Sequence, residues 1–338
     1  MKNKFWENKN VFVTGVNGFV GGMLASELLR NGANVYGLIR TLDPKSFLFY
    51  EDINDHIRLI NGEITDKVLL DNFFSENKID VCFHLAAQVE VGVAARHPFF
   101  TWETNIRGTY TLLESIRQVN PGIDAVVIAS SDKAYGEHPV ENLPYREDYP
   151  LMPKFTYDSS KACADIIAQS YTTELFNMPI VITRFANIYG PGQLNFSAVI
   201  PDAIRCALNY DKFIPRSDGK SIRDFLFVKD VAMLYLKIGQ ALSRNHNLKG
   251  EVFNAGTDKG KSVRSVVEQI YHILDNKKDY IEIEKSFEKN SDSKGEIVNQ
   301  IMNYEKVKKY FDWEPTTNFG DGLEETVVWF ERYLKDNL

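Results

Sequence analysis

Residues 11–22 read VFVTGVNGFVGG. The residues ahead of the first glycine are apolar or β-branched, and NVFVTG (10–15) reads as a strand. Gly15, Gly18 and Gly21 follow in the spacing G-x-x-G-x-x-G. The chain from Gly18 to Asn31 then has helical periodicity, with Phe19, Leu24 and Leu28 on one side. In a strand–turn–helix unit of this kind, Gly15 permits the tight turn. Gly18 lets backbone approach a pyrophosphate, and the helix N-terminus offers N–H donors and a positive dipole end. Asn17, Phe19 and Val20 stand in the same loop. The context predicts a dinucleotide site.

Outward from this unit, ANVYGLI (33–39), HIRLI (56–60), DVCFHLA (80–86), DAVVIAS (124–130) and PIVITRF (179–185) read as further strands. Helical patterns fill most gaps, notably around 66–77, 101–119 and 155–177. Strands that alternate with helices make βαβ units and a parallel sheet. The strands are continuously apolar, as a sheet covered on both faces requires. After Gly190-Pro191-Gly192 the regularity breaks. A helix at 197–209, a strand DFLFV (224–228), a helix at 230–243 and a strand EVFNAG (251–256) follow, and 262–338 is mainly helical. The predicted fold is α/β: a Rossmann-type doubly wound parallel sheet over 1–186 and 222–257. A smaller, partly interleaved C-terminal substrate-binding lobe takes 187–221 and 258–338.

The 338 residues are enough for a sizeable core. A net charge of −7 argues against a nucleic-acid surface. The longest apolar run, VAMLYL (231–236), is far too short for a membrane span, and MKNKFWENKN has no signal-peptide core. Cys82, Cys163 and Cys206 have no metal-ligand spacing and read as free thiols of a cytoplasmic protein. No metal is expected. His84 reads as a packed strand-end residue, and His97 and His138 as solvated ones.

At the adenosine end, the second strand closes on Leu38-Ile39-Arg40-Thr41. An acidic residue there would hold a ribose 2′-hydroxyl, whereas Arg40 suits a 2′-phosphate. A solvated arginine at a strand end is the other reading, so NAD and NADP both stay open. Glu63 and Ile64, after the third strand, are placed to meet the adenine.

At the redox end, Tyr157 and Lys161 in YDSSK are spaced i and i+4, on one helix face. A tyrosine with a pKa near ~10 is a poor base at neutral pH. An ammonium nearby favours the phenolate and lowers that pKa. Ser131 stands at the C-terminal end of the DAVVIAS strand, just after Ser130, on the side where ligands bind such sheets, and is placed to share the substrate proton.

TGVNGFVGG, HLAAQ (84–88), TNIRGT (104–109), SSDKAYG (130–136), YDSSK, RFANIYGPG (184–192), IRDFLFVKD (222–230) and GEIVNQIMNYEKVKKYFDWEP (295–315) together resemble the extended short-chain dehydrogenases/reductases. Within them the match is to nucleotide-sugar enzymes, over nearly the whole chain. The resemblance implies a Ser131/Tyr157/Lys161 triad, with Lys161 also holding the nicotinamide ribose of a tightly bound NAD or NADP. It implies that Leu85, Ala86, Ala87 and Gln88 line the cofactor, and that Asn105 supports the site. Asn187 and Arg223 would hold the phosphates of a nucleotide-diphosphate sugar, an apt task for arginine. Phe196, a candidate to stack on the base, and Val199 complete the expected substrate residues. A homodimer through the helices at 101–119 and 155–177 is a further implication.

Ser131-Asp132-Lys133 in place of Thr-Asp-Glu resembles the CDP-glucose 4,6-dehydratases, as does FW-x-x-K-x-VFVTG from Phe5. A C4 ketone acidifies the C5 proton, and elimination then needs an acid for the departing hydroxyl and a base for that proton. The resemblance puts Asp132 and Lys133 in those roles. A lysine base must fall from its ordinary pKa of about 10.4, by desolvation or by crowding from another cation such as Lys161. An Asp132–Lys133 ion pair at a strand end, without catalytic work, is the plain alternative. At the level of the reaction, a nucleotide-sugar epimerase using the same triad is the other reading.

Overall fold

The computed structural model of the chain describes residues 3–209, 211–289 and 297–337. Met1, Lys2, Tyr210, Leu338 and residues 290–296, with them Gly295 and Glu296 of the 295–315 stretch, lie outside the described residues.

The strands are β1 (Asn10–Thr14), β2 (Asn34–Ile39), β3 (Arg58–Asn61), β4 (Val81–His84), β5 (Ala125–Ala129), β6 (Ile180–Phe185), β7 (Asn187–Tyr189), β8 (Ile222–Phe227), β9 (Val252–Ala255), β10 (Gly260–Ser262) and β11 (Asn299–Gln300). Seven of them form one sheet in the order β3-β2-β1-β4-β5-β6-β9, with parallel pairings. The doubly wound α/β sheet predicted from the apolar runs is therefore present. Its strands send alternate side chains to two separate cores. Val11, Val13, Val81 and Phe83 enter one, and Phe12, Tyr36, Cys82, Val126 and Ile128 enter the other. That is why these strands carry no polar face. Phe12 packs on Phe73 and Phe74 at 4.5 and 5.5 Å between ring centroids. Burial of one such ring contributes about 1.5–3 kcal/mol.

Strand order reverses between β1 and β4, and ligands of such sheets bind outside the carboxyl ends at that point. Thr14 and His84 are paired there in register, so the glycine loop and Leu85–Gln88 leave the sheet side by side.

Three expectations are corrected. β8 starts at Ile222 and joins a second, small sheet, where it pairs with β7 and β11 in parallel and with β10 antiparallel. The range 222–257 is thus split, because β9 extends the large sheet and β8 does not. A short apolar strand fits either sheet, and only its pairing decides. The helix expected over 155–177 spans Thr156–Ser170. Beyond it, the Thr172 and Thr173 hydroxyls donate to the Gln169 and Ser170 carbonyls, a local bond that competes with helix propagation. The segment 101–119 is a helix Pro98–Trp102, a π turn Glu103–Arg107 and a helix Gly108–Val119. Among the described residues no helix is long and apolar enough to cross a membrane.

Candidate active site

A cavity of about 1200 Å³ runs along the carboxyl ends of the large sheet and under the small one. Its first end is the glycine loop. Gly15 has φ +72°, and a Cβ there would stand 2.8 Å from the Ala86 nitrogen. A Cβ on Gly21 would stand 2.2 Å from the Gly15 carbonyl oxygen. Turn, close approach and helix packing each exclude a side chain, and Gly18 caps the helix Phe19–Arg30. Asn17 ties this loop to the end of β2: its Nδ2 donates to the Thr41 carbonyl (3.2 Å), and Ser46 donates to its Oδ1. Phe19, Val20, Arg40, Glu63, Ile64 and Leu85–Gln88 all line the same cavity. The Arg40 guanidinium lies over the Phe100 ring at 5.2 Å.

A buried hydrogen-bond chain joins this end to the triad. Leu85 and Ala86 N–H donate to Thr14 Oγ1, which pairs with His84 Nδ1 at 2.8 Å. His84 Nε2 pairs with Thr109 Oγ1 at 3.0 Å, and Thr109 donates to the Asn105 carbonyl at 2.7 Å. Thr109 is therefore the acceptor from Nε2–H, and Nδ1 accepts from Thr14. Burial holds the ring neutral, with its pKa pulled down to about 3. Asn105, inside the π turn, accepts from Gln88 N–H (2.7 Å) and donates to Ser160 Oγ (2.8 Å). Ser160 in turn donates to the Tyr157 carbonyl (2.7 Å). A π turn re-aims a side chain that a regular helix would direct elsewhere.

Ser131, Tyr157 and Lys161 share the cavity wall. The acidification expected of Tyr157 is not what the protein groups alone produce. Burial pushes its phenol up, Asp132 and Asp158 add to this, and only the Ser131 hydroxyl opposes. The Lys161 ammonium instead donates to the Ala129 carbonyl at 2.5 Å, and burial pulls it down to about 8. Both groups are desolvated, and the β5 carbonyl has claimed the ammonium.

Asp132 is 3% exposed. Its Oδ1 accepts from Ser131 Oγ at 3.0 Å, and its Oδ2 has no partner among the described residues. Burial raises its pKa against the opposing charges of Lys133 and Arg223. Lys133 does not form the strand-end ion pair with Asp132; its Nζ donates to Gln300 Oε1 at 3.2 Å. Asp158 and Gln300 were not anticipated. Asp158 lies on the cavity wall, with burial and Asp132 pushing its pKa up to about 6 against Lys133 and backbone N–H groups at the start of its helix. An acidic residue in a helix's first turn reads as a dipole partner, which hid it. Gln300 sits on a two-residue strand inside the 295–315 stretch, where no spacing or residue pattern singles it out.

At the far end, Asn187, Val199 and Arg223 line the cavity. Arg223 donates to the Ile222 and Val298 carbonyls at 2.9 and 3.0 Å. Phe196 is corrected. Its ring faces Phe330 at 6.2 Å and lies under Arg205 at 5.5 Å, off the cavity wall, because helix Phe319–Asn337 gives it an apolar seat. His138 is also corrected: it is buried, stacked on Tyr149 and edge-on to Tyr145.

A glycine-rich strand–turn–helix, the residues Ser131, Tyr157 and Lys161 on the same cavity wall and a doubly wound parallel sheet agree with an extended short-chain dehydrogenase/reductase. The chain belongs to the GDP-mannose 4,6 dehydratase family, whose model matches residues 12–326. It is similar to the CDP-glucose 4,6-dehydratase of Salmonella typhimurium, at 28% identity over 98% of this chain and 93% of that one. Among solved structures it resembles dTDP-glucose 4,6-dehydratase from Bacillus anthracis in complex with NAD (30% identity, TM-score 0.81, 96% and 97% covered). It also resembles UDP-glucose 4-epimerase from Thermotoga maritima with UDP-glucose (27%, TM-score 0.82, 96% and 99%). The protein is thus an enzyme of the nucleotide-sugar dehydratase and epimerase group.

Proposed function

We propose that the protein is a nucleotide-sugar 4,6-dehydratase, with CDP-glucose the first substrate to test. Asp132 carries this reading. It is a buried carboxyl group whose proton is favoured by its surroundings and whose second oxygen has no partner among the described residues. Epimerisation has no use for such an acid; loss of water does.

The three glycines let the loop pack against Ala86 and its own Gly15 carbonyl, where a Cβ would collide, and the loop presents its backbone to the cavity, so the residues fit a dinucleotide. Gly15, Asn17 and Gly18 would hold its phosphates, and Arg40, Glu63 and Ile64 would border the adenosine of NAD or NADP. Leu85–Gln88 would flank it, and Lys161 would take the nicotinamide ribose. When bound, the nicotinamide supplies a hydride acceptor at C4 of the sugar and a hydride donor at C6. Tyr157 would accept the C4 hydroxyl proton, with Ser131 sharing it, once the positive charge that a bound oxidised nicotinamide would bring offsets the burial that pushes its phenol up. The resulting ketone makes the C5 proton acidic, and Lys133 removes it. Asp132 protonates the C6 hydroxyl, which departs as water. C6 then receives the hydride and C5 a proton. Arg223 and Asn187 grip the diphosphate.

A homodimer belongs to the same reading. Phe99, Tyr110 and Ile166, on the helices Pro98–Trp102, Gly108–Val119 and Thr156–Ser170, are exposed apolar residues that support pairing there.

The test is a panel of CDP-, dTDP-, GDP- and UDP-hexoses with products weighed by mass spectrometry. One sugar nucleotide should lose one water, with solvent deuterium entering at C5. Asp132→Asn should slow water loss by about 10²-fold or more while reduced cofactor still forms. Turnover with no loss of mass would make the protein an epimerase instead.

A further inference from the structure

Gln300 is fully buried, yet the fold gains little from it. Its Nε2 has no hydrogen-bond partner among the described residues. Such an orphan donor costs about 1–3 kcal/mol, and an apolar residue of similar size would relieve the cost. The other end of the carboxamide cannot be rotated to help, because Oε1 accepts from Lys133 Nζ at 3.2 Å. Two donors would face each other if the amide were reversed. The strand that brings it in, β11, is only Asn299–Gln300, paired to β8 so that Gln300 stands beside Arg223. The small lobe thus reaches across to one group of the large one.

That group is the Lys133 amine. From its own turn Asp132 acts on it, and from the helix Thr156–Ser170 Asp158 does. Arg223, from β8, acts on Asp132 in the same cluster. Among the described residues, Gln300 is the one that holds the Lys133 Nζ by a hydrogen bond. It is also neutral, so it fixes a position without stabilising the ammonium as a third carboxylate would.

We propose that Gln300 is a positioning residue for dehydration, holding the Lys133 amine where the C5 proton is removed. The inference rests on the reading of Lys133 as the base. It makes the contact between β11 and the turn Asp132–Tyr135, two distant parts of the chain, a condition for proton removal.

The experiment compares Gln300→Leu, Gln300→Glu and Lys133→Met in the full-length protein, on a sugar nucleotide that wild type dehydrates. Reduced-cofactor formation, water loss and melting temperature are read separately. Gln300→Leu should melt no lower than wild type and form reduced cofactor at the wild-type rate, while water loss falls about ten- to a hundredfold. Gln300→Glu puts a carboxylate against the amine, so the pH profile of water loss should differ from that of wild type. The proposal is overturned if both Gln300 variants keep the wild-type rate and pH profile of water loss. It is equally overturned if melting temperature and both half-reactions fall together, since that is a structural role. If Lys133→Met keeps full water loss, the base assignment fails first and takes this inference with it. If Lys133→Met loses water loss and the Gln300 variants do not, only the positioning role fails.

Discussion

The seven-stranded sheet and the small sheet around β8 hold opposite ends of one cavity, and they are built differently. The large sheet is apolar on both faces and meets the cavity toward the carboxyl ends of its strands, at Leu38, Ile39, Ala129, Thr183 and Phe185. The small sheet is assembled from strands of two to six residues that carry Asn187, Arg223 and Gln300. In the first, chemistry is placed at the ends of a sheet buried on both faces. In the second, the strands themselves carry the polar groups. Damage to the first should therefore affect every substrate alike, and damage to the second should act on binding and on the choice of reaction.

The largest effect should come from Tyr157→Phe. Removal of the phenolic proton acceptor should slow the first hydride transfer by about 10²–10⁴-fold for every sugar nucleotide turned over. Reduced cofactor measured in a single turnover reads this directly. A variant that lost one substrate and kept another would break the division between the two regions. Arg223→Met should be milder and of another kind. A charge-assisted bond to a phosphate contributes about 1.5–3 kcal/mol, so KM should rise about ten- to a hundredfold with kcat held within a few fold. Equal falls in kcat and kcat/KM would place Arg223 in the transition state instead.

The same division explains what could be read from the sequence. The glycine loop was legible because turn, approach and packing each demand a missing Cβ, and the spacing records all three demands. The sheet was legible because burial on two faces leaves an unbroken apolar run. Tyr157 and Lys161 were legible because a helix turns spacing into a shared face. Phe196 was not, since a ring beside a loop can turn either way and Phe330, far along the chain, decides. His138 beside Pro139 read as solvated, and Tyr145 and Tyr149 bury it. Gln300 was not singled out within the 295–315 stretch, because a two-residue strand exists only through its partner β8. The acidification expected of Tyr157 assumed that the ammonium one turn away had no nearer acceptor; the Ala129 carbonyl is nearer.

The smallest effect probes the seam between the regions. Asp158 lies at the start of the helix that carries the triad, with burial raising it to about 6 and Lys133 opposing. A carboxyl group whose folded pKa is raised above its ordinary ~3.9 contributes stability that is complete below that value. This contribution is lost as pH climbs through 6. Wild type should therefore lose stability relative to Asp158→Asn between about pH 4 and 7, by something on the order of 1–2 kcal/mol. Asp224 is raised to about 6 as well, so the quantity to read is the difference between the two proteins' melting curves at each pH, not either curve alone. Lys133→Met removes the charge that opposes the shift, and in that background the window should move to higher pH. An unmoved window would mean that Lys133 does not face Asp158, and that the amine Gln300 holds lies apart from the two carboxyl groups on which its charge is read as acting.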